Sequence, residues 1–303
     1  MNRRNALLSV AGAGLAGTYA NAAAAAKPAT ARAASRREVI ARDGTHLFHR
    51  DWGDGKPVVF MAGWTMTSET WAYQAADLSD RGLRCISYDR RGHGRSDDPG
   101  RGYDMDTLAD DLAAVLDTLD LRDVTLVAHS MASGEMTRYL TRHGPARVSK
   151  LLYLAPTTPF LLKTADNPMG VPQAFFDKVR QVWKTDFNKW ADDNTAPFFL
   201  PDTSPGMIEW LKSATRHCSL QAVVECNKAM VENDFRPELT KIRLPTLVIQ
   251  GDKDASAPLE LTGKRTADLV PGARLKVYAG APHGLFITHM ARLNTDILEF
   301  AQS

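Results

Sequence analysis

Short apolar runs bounded by turn residues alternate with longer stretches of helical spacing along most of this chain. "KPVVFMAG" is an apolar run of buried-strand type, and "SETWAYQAADLSDRG" follows with helical spacing that ends at Gly82. The rhythm repeats with strand "LRCISYD", loop "RRGHGRSDDPGRG" and a long amphipathic helix, "DMDTLADDLAAVLDTLDL", whose first turn is acidic. Strand "VTLVAHS", helix "MASGEMTRYLTRHG" and strand "SKLLYLAP" come next. Ahead of them all, "REVIARDGTHLFHRDWG" alternates around Asp43-Gly44 and predicts a hairpin. From Thr157 to Pro237 the alternation stops. This stretch carries Trp183, Trp190 and Trp210, with helical patterning in "PQAFFDKVRQVWK" and "LQAVVECNKAMVEN". Strand and helix resume in "PTLVIQG", "LELTGKRTADLVPG", "ARLKVYAG" and a last helix, "THMARLNTDILEFAQS".

That order predicts an α/β fold, a mostly parallel sheet covered on both faces with a helical lid inserted between two strands. The expected divisions are an export signal over 1–26, a linker over 27–35, a first core part over 36–156, the lid over 157–237 and a second core part over 238–303. The signal rests on Arg3-Arg4, a short Gly/Ala-rich apolar run, and small residues for cleavage near Ala22 to Ala26. The paired arginines point to the twin-arginine route, and so to a periplasmic or secreted protein.

Composition narrows the function classes. The 303 residues are 44% hydrophobic and 24% charged, with a formal net charge of +2, so nothing points to nucleic acid. The N-terminal apolar run is too short to anchor the mature chain in a membrane. Nothing in the pattern fixes an oligomeric state. Cys85 falls in an expected core strand, and Cys218 and Cys226 in one expected helix. Eight residues of helix separate that pair by about 12 Å, beyond disulfide reach, so all three read as buried thiols. No His/Cys spacing suits a metal.

In open α/β sheets, functional groups gather beyond the carboxyl ends of the strands. Ser130 follows "VTLVAH", Asp252 and Asp254 follow "PTLVIQG", and His283 follows "LKVYAGAP". A serine hydroxyl needs a base within hydrogen-bond reach, and the base needs a carboxylate to fix its tautomer. The expected roles are Ser130 as nucleophile, His283 as base and Asp254 as its orienting acid. Asp252, directly after the strand and Gly251, is expected to serve the turn. His129 should point away from Ser130 and be structural, and His93 should make a local loop contact. His289 reads as a surface residue, and His46, His49, His143 and His217 as surface or satisfied core residues. A strand-to-helix turn at Ser130 needs small neighbours, which Ala128 and Ala132 supply in place of glycine. An oxyanion hole needs two main-chain N–H groups, expected from Met131 and Trp64. Trp64, Phe160, Trp183 and Phe199 are candidates for the substrate pocket.

These motifs, with "GWTMTSETWAYQ", "ISYDRRGHGRSD", "PFLLKTADNPMGVP", "TAPFFLP", "PTLVIQGDKDASAP" and "GAPHGLFITH", resemble the cofactor-free haloperoxidase/arylesterase group of α/β-hydrolases. The likeness spans nearly all of the chain after the signal. It implies the α/β-hydrolase fold, whose triad runs in the order Ser, Asp, His. It also implies serine esterase chemistry without haem or metal, and peracid formation with halide oxidation in some members. This sequence departs at four positions. Ala128 and Ala132 replace the elbow glycines, Ala62 replaces a histidine that braces the loop in many relatives, and Thr65 stands where haloperoxidase-like members usually have proline. Thr65→Pro is accordingly expected to raise perhydrolysis against hydrolysis.

The resulting expectation is a serine hydrolase acting on small apolar or aromatic carboxylic esters or lactones through an acyl-enzyme, with no cofactor. A perhydrolase or carbon–carbon bond hydrolase is the alternative within enzymes, and a ligand-binding module with a vestigial triad is the alternative outside them.

Overall fold

The computed structural model of the chain describes residues 38–303. The expected export signal, the linker and the first two residues of the expected core lie outside the described residues. In chain order the elements are β1 (Val39–Ile40), β2 (His46–Leu47), β3 (His49–Trp52), β4 (Lys56–Met61), α1 (Ala72–Asp80), β5 (Leu83–Tyr88) and α2 (Met105–Thr118). Next come β6 (Val124–His129), α3 (Ala132–His143), β7 (Val148–Leu154), α4 (Gln173–Asn194), α5 (Pro205–Thr215), α6 (Leu220–Glu232) and α7 (Arg236–Leu239). The chain ends with β8 (Thr246–Gly251), α8 (Gly263–Leu269), β9 (Arg274–Tyr278), α9 (Leu285–Thr288) and α10 (Met290–Gln302).

Seven strands form one sheet in the order β3-β5-β4-β6-β7-β8-β9. Only β3 runs antiparallel to its neighbour. Side chains alternate between the faces of a strand, and here that alternation sorts them into two apolar layers. Val59, Met61, Ile86, Leu126, Ala128, Leu151, Tyr153 and Val248 join one cluster with residues of α2 and α3. Val58, Phe60, Cys85, Val127, Leu152, Leu154, Leu247 and Ile249 join the other with residues of α1 and α10. Central strands buried on both faces cannot alternate with polar residues, which is why they read as continuous apolar runs.

The expected hairpin forms in part. β1 and β2 pair antiparallel across a turn with Gly44 at φ 88°, but β3 leaves them to pair with β5. The long expected helix "PQAFFDKVRQVWK" extends to Asn194 and bends at Asp186, whose φ of −158° and ψ of 86° are not helical. Cys218 is not helical. It precedes α6 and bridges to the backbone of His93, because Ser219 caps the helix through its hydroxyl to Ala222 N–H. Cys85 and Cys226 are buried, Cys218 is half-buried, and all three thiols are free.

No helix among the described residues is long and apolar enough to cross a membrane. α2 starts at Asp104, whose Oδ1 accepts the Thr107 N–H at 2.9 Å. Asp104→Ala should lower unfolding free energy by about 1 kcal/mol, whereas Asp104→Ser should keep most of it. Urea unfolding of the three proteins checks this ordering.

Candidate active site

Strand β6 ends at His129, and α3 begins three residues later, so the chain must turn within Ser130 and Met131. Ser130 turns it with φ 54°, a left-handed conformation that costs a residue bearing a Cβ about 1–2 kcal/mol. Hydrogen bonds hold the turn. Ser130 N–H donates to Leu154 C=O at 3.0 Å, and Ser130 C=O accepts from Ser133 N–H at 3.0 Å and Ser133 Oγ at 2.6 Å. Thr157 Oγ1 adds a contact at 3.3 Å. Ala128 and Ala132 flank the turn fully buried, so one methyl at each is accommodated where strand and helix meet.

The loops after β8 and β9 bring two more groups to this turn. His283 Nε2 lies 2.9 Å from Ser130 Oγ, and His283 Nδ1 lies 2.7 Å from Asp254 Oδ2. With its proton on Nδ1, His283 donates to Asp254 and accepts from Ser130. Asp254 is fixed in turn. Its Oδ1 accepts Ser256 N–H at 3.0 Å and Ala257 N–H at 2.8 Å, and Gln250 Nε2 donates to Oδ2 at 3.3 Å. Asp252 stands apart, accepting Gly280 N–H at 2.7 Å in the exposed turn between the two strand ends. All three linked side chains are buried, with Ser130 6% exposed.

His129 lies behind the site, 4.8 Å from His283 between ring centroids, with Nε2 3.2 Å from His283 C=O. Burial holds its pKa well below the usual histidine value. His93 is also buried, with Nδ1 2.9 Å from Arg91 C=O, and burial pushes its pKa down to about 3. His289 is half-buried beside Tyr278, at the break between α9 and α10. His46 pairs with Glu38 and His143 with Asp110, while His49 is half-buried and His217 exposed.

The loop after β4 runs against the turn. A Cβ on Gly63 would sit 2.7 Å from His129 Nδ1 and 3.3 Å from Ser130 Cβ, so only glycine lets the backbone approach this closely. Among the described residues, the N–H groups of Trp64 and Met131 donate to no other protein group. The Trp64 side chain donates through Nε1 to Val223 C=O at 2.9 Å. Thr65 is buried with φ 65°, and its Oγ1 donates to Trp64 C=O at 2.6 Å. Proline is locked near −65°, so Thr65→Pro would reverse the sign of φ and rebuild the loop instead of trimming one hydrogen bond. The expectation that it simply raises perhydrolysis is withdrawn on that ground.

Sequence reasoning treated "RRGHGR" as a loop and missed that its first two arginines are buried. Arg90 pairs with Glu135 at 2.6 Å and donates to Ala62 C=O at 2.7 Å. Arg91 pairs with Asp111 and Asp43. The available signal was two charges placed directly after a core strand. Of the pocket candidates, Trp64 and Trp183 meet at 4.6 Å and share a cluster with Phe187 and Trp190. Phe160 packs against the Arg236 guanidinium, and Phe199 packs in the apolar cluster that includes Leu211. Phe198, which the sequence reading passed over, lies 5.3 Å from the His283 ring. Among the described residues, no group of three or more His, Cys, Asp or Glu side chains could hold a metal ion.

A hydroxyl, an imidazole and a carboxylate are thus linked by hydrogen bonds beyond the carboxyl ends of parallel strands. Residues 56–290 match the alpha/beta hydrolase fold family, and the chain belongs to it. It is 41% identical over 267 residues to a non-heme chloroperoxidase from Kitasatospora aureofaciens, covering 86% of this chain and 97% of that protein. It is 33% identical over 274 residues to a bifunctional esterase/perhydrolase from Acinetobacter calcoaceticus, covering 88% and 99%. Among solved structures, an esterase from Exiguobacterium antarcticum superposes with a TM-score of 0.85 at 30% identity, covering 88% of this chain and 99% of that one. The fold is therefore that of the α/β-hydrolases.

His93 and His129 are neutral when folded and free to protonate when unfolded. Their contribution is complete above about pH 6.5 and is lost as pH falls below it, by up to about 1.4 kcal/mol per pH unit for each. Unfolding free energy measured between pH 7 and pH 5 should fall less steeply in His93→Gln than in the parent protein. Equal slopes would contradict a neutral buried His93.

Proposed function

We propose that the protein is a serine hydrolase that cleaves small carboxylic esters or lactones through an acyl-enzyme. The observation that carries this reading is the continuous chain from Ser130 Oγ through His283 to Asp254, at 2.9 Å and 2.7 Å. Ser130 Oγ attacks the acyl carbon while its proton passes to His283 Nε2. The proton then goes to the leaving alcohol as the C–O bond breaks, and Ser130 is left acylated. Water attacks the acyl-enzyme, gives its proton to His283 and releases the acid as the proton returns to Ser130. Asp254 keeps the His283 proton on Nδ1 and stabilises the cation that forms. The N–H groups of Trp64 and Met131 face the tetrahedral oxygen, where each donor is worth about 3–4 kcal/mol.

The aromatic surroundings, Phe198 beside His283 and Trp64 against Trp183, support an apolar or aromatic acyl group. A second reading is supported by the names of the relatives, a chloroperoxidase and an esterase/perhydrolase. Hydrogen peroxide would then replace water at the acyl-enzyme, releasing a peracid that oxidises halide. Export through the twin-arginine route is also proposed, on Arg3-Arg4 and the apolar run after them.

Purified protein screened against aryl esters, lactones and peroxide-plus-acid mixtures tests these readings. Ser130→Ala should abolish turnover with the fold unchanged by circular dichroism. Asp254→Asn should lower kcat by about 10⁴, whereas Asp252→Asn should leave kcat nearly intact and affect stability instead. A reversed ranking of the two aspartates would move the orienting role to Asp252.

A further inference from the structure

Arg90 lies in the loop two residues past the end of β5 and is 4% exposed. Its guanidinium makes contacts on two sides. Toward α3, Nε donates to Glu135 Oε1 at 2.8 Å, and Nη2 lies 2.6 Å from the same oxygen. Toward the loop after β4, Nη2 donates to Ala62 C=O at 2.7 Å and Nη1 to Gly63 C=O at 3.4 Å. Gly63 C=O belongs to the same peptide group as Trp64 N–H. We propose that Arg90, anchored by Glu135, is a positioning residue that aims and polarises the Gly63–Trp64 peptide, making Trp64 N–H a fixed and stronger donor to the reacting oxygen. The proposal rests on the serine-hydrolase reading above and adds to it a source for the oxyanion field.

A buried cation is expensive unless paired, and Glu135 pairs it at 1% exposure. A cationic donor on a carbonyl draws electron density toward that oxygen and strengthens the N–H at the other end of the peptide. Ala62 has no side chain long enough to brace its own loop, so the brace comes from the neighbouring strand. Glu135 sits five positions after Ser130, on the helix that starts at the turn. One guanidinium thus ties the donor loop to the element carrying the nucleophile. The planar fork of arginine reaches both carbonyls and the carboxylate together, which the point charge of lysine cannot do.

The test compares an aryl ester with its thiono analogue, in which C=S replaces C=O. Sulfur is larger and a weaker acceptor, so the thiono ester draws less on the oxyanion donors. Arg90→Met combined with Glu135→Leu removes both charges and leaves neither alone in the interior. This double variant should lose about tenfold in kcat on the oxo ester with KM changed by less than about twofold, while the thiono ester changes little. The oxo/thiono ratio should therefore collapse by nearly the same factor. Arg90→Lys, which keeps the charge, should lower the ratio by roughly threefold and carries the test if the double variant does not fold. Parallel losses on both esters, or an unchanged ratio in the folded variants, would overturn the proposal while leaving the hydrolase reading intact. A parent protein without turnover that depends on Ser130 would overturn both.

Discussion

The left-handed backbone at Ser130 is the constraint around which the rest of the site is arranged. A φ of 54° places a side chain at the tip of a turn so tight that strand and helix nearly touch. The neighbours must then be small, the carbonyl of the turn must be paired, and the facing loop must be stripped to glycine at position 63. Each requirement is met by a different segment. Leu154 and Thr157 come from the next strand and its loop, Ser133 from the helix, and Gly63 from the loop after the strand on the other side. The strain is small against the stability of a domain and large against any single contact. It survives because several elements impose it together.

Buried charge serves a related purpose. Arg90 with Glu135 and Arg91 with Asp111 are buried pairs, and Arg91 also reaches the exposed Asp43. Such pairs add little net stability, since desolvation offsets most of the attraction. Their geometry is directional, however, and greasy contacts are not. A loop whose carbonyls accept from a buried guanidinium is held in one position.

Much of this was legible in the sequence, for identifiable reasons. Strands buried on both faces announce themselves as unbroken apolar runs, and β6 is buried from Val124 to His129. Helices such as α2 show their apolar spacing and their cap. Ser130 stood out because it follows such a run directly, and Asp254 and His283 because they lie in the loops after β8 and β9. What stayed hidden depends on contacts between segments far apart in the chain. Phe198 and Phe199 are indistinguishable by neighbourhood, and only the packing of the segment after α4 turns the first toward His283. Helix α4 continues past the expected helical stretch to Asn194, with a bend at Asp186. The left-handed Thr65 defies its β-branched side chain, and no local propensity predicts it. Arg90 read only as part of a loop, because its partner lies 45 positions away.

The segment between β7 and β8 leaves and re-enters the sheet at strands that pair directly, from Leu151 with Thr246 to Leu154 with Ile249. It is a side branch on a ladder already closed beneath it. The branch supplies Trp183, Phe187, Trp190 and Phe198, but none of Ser130, Asp254 or His283. The hydrogen-bonded trio and these aromatic side chains are thereby written in separate stretches of sequence. Insertion or exchange within the branch can change the aromatic surroundings of that trio without breaking the pairing of β7 with β8.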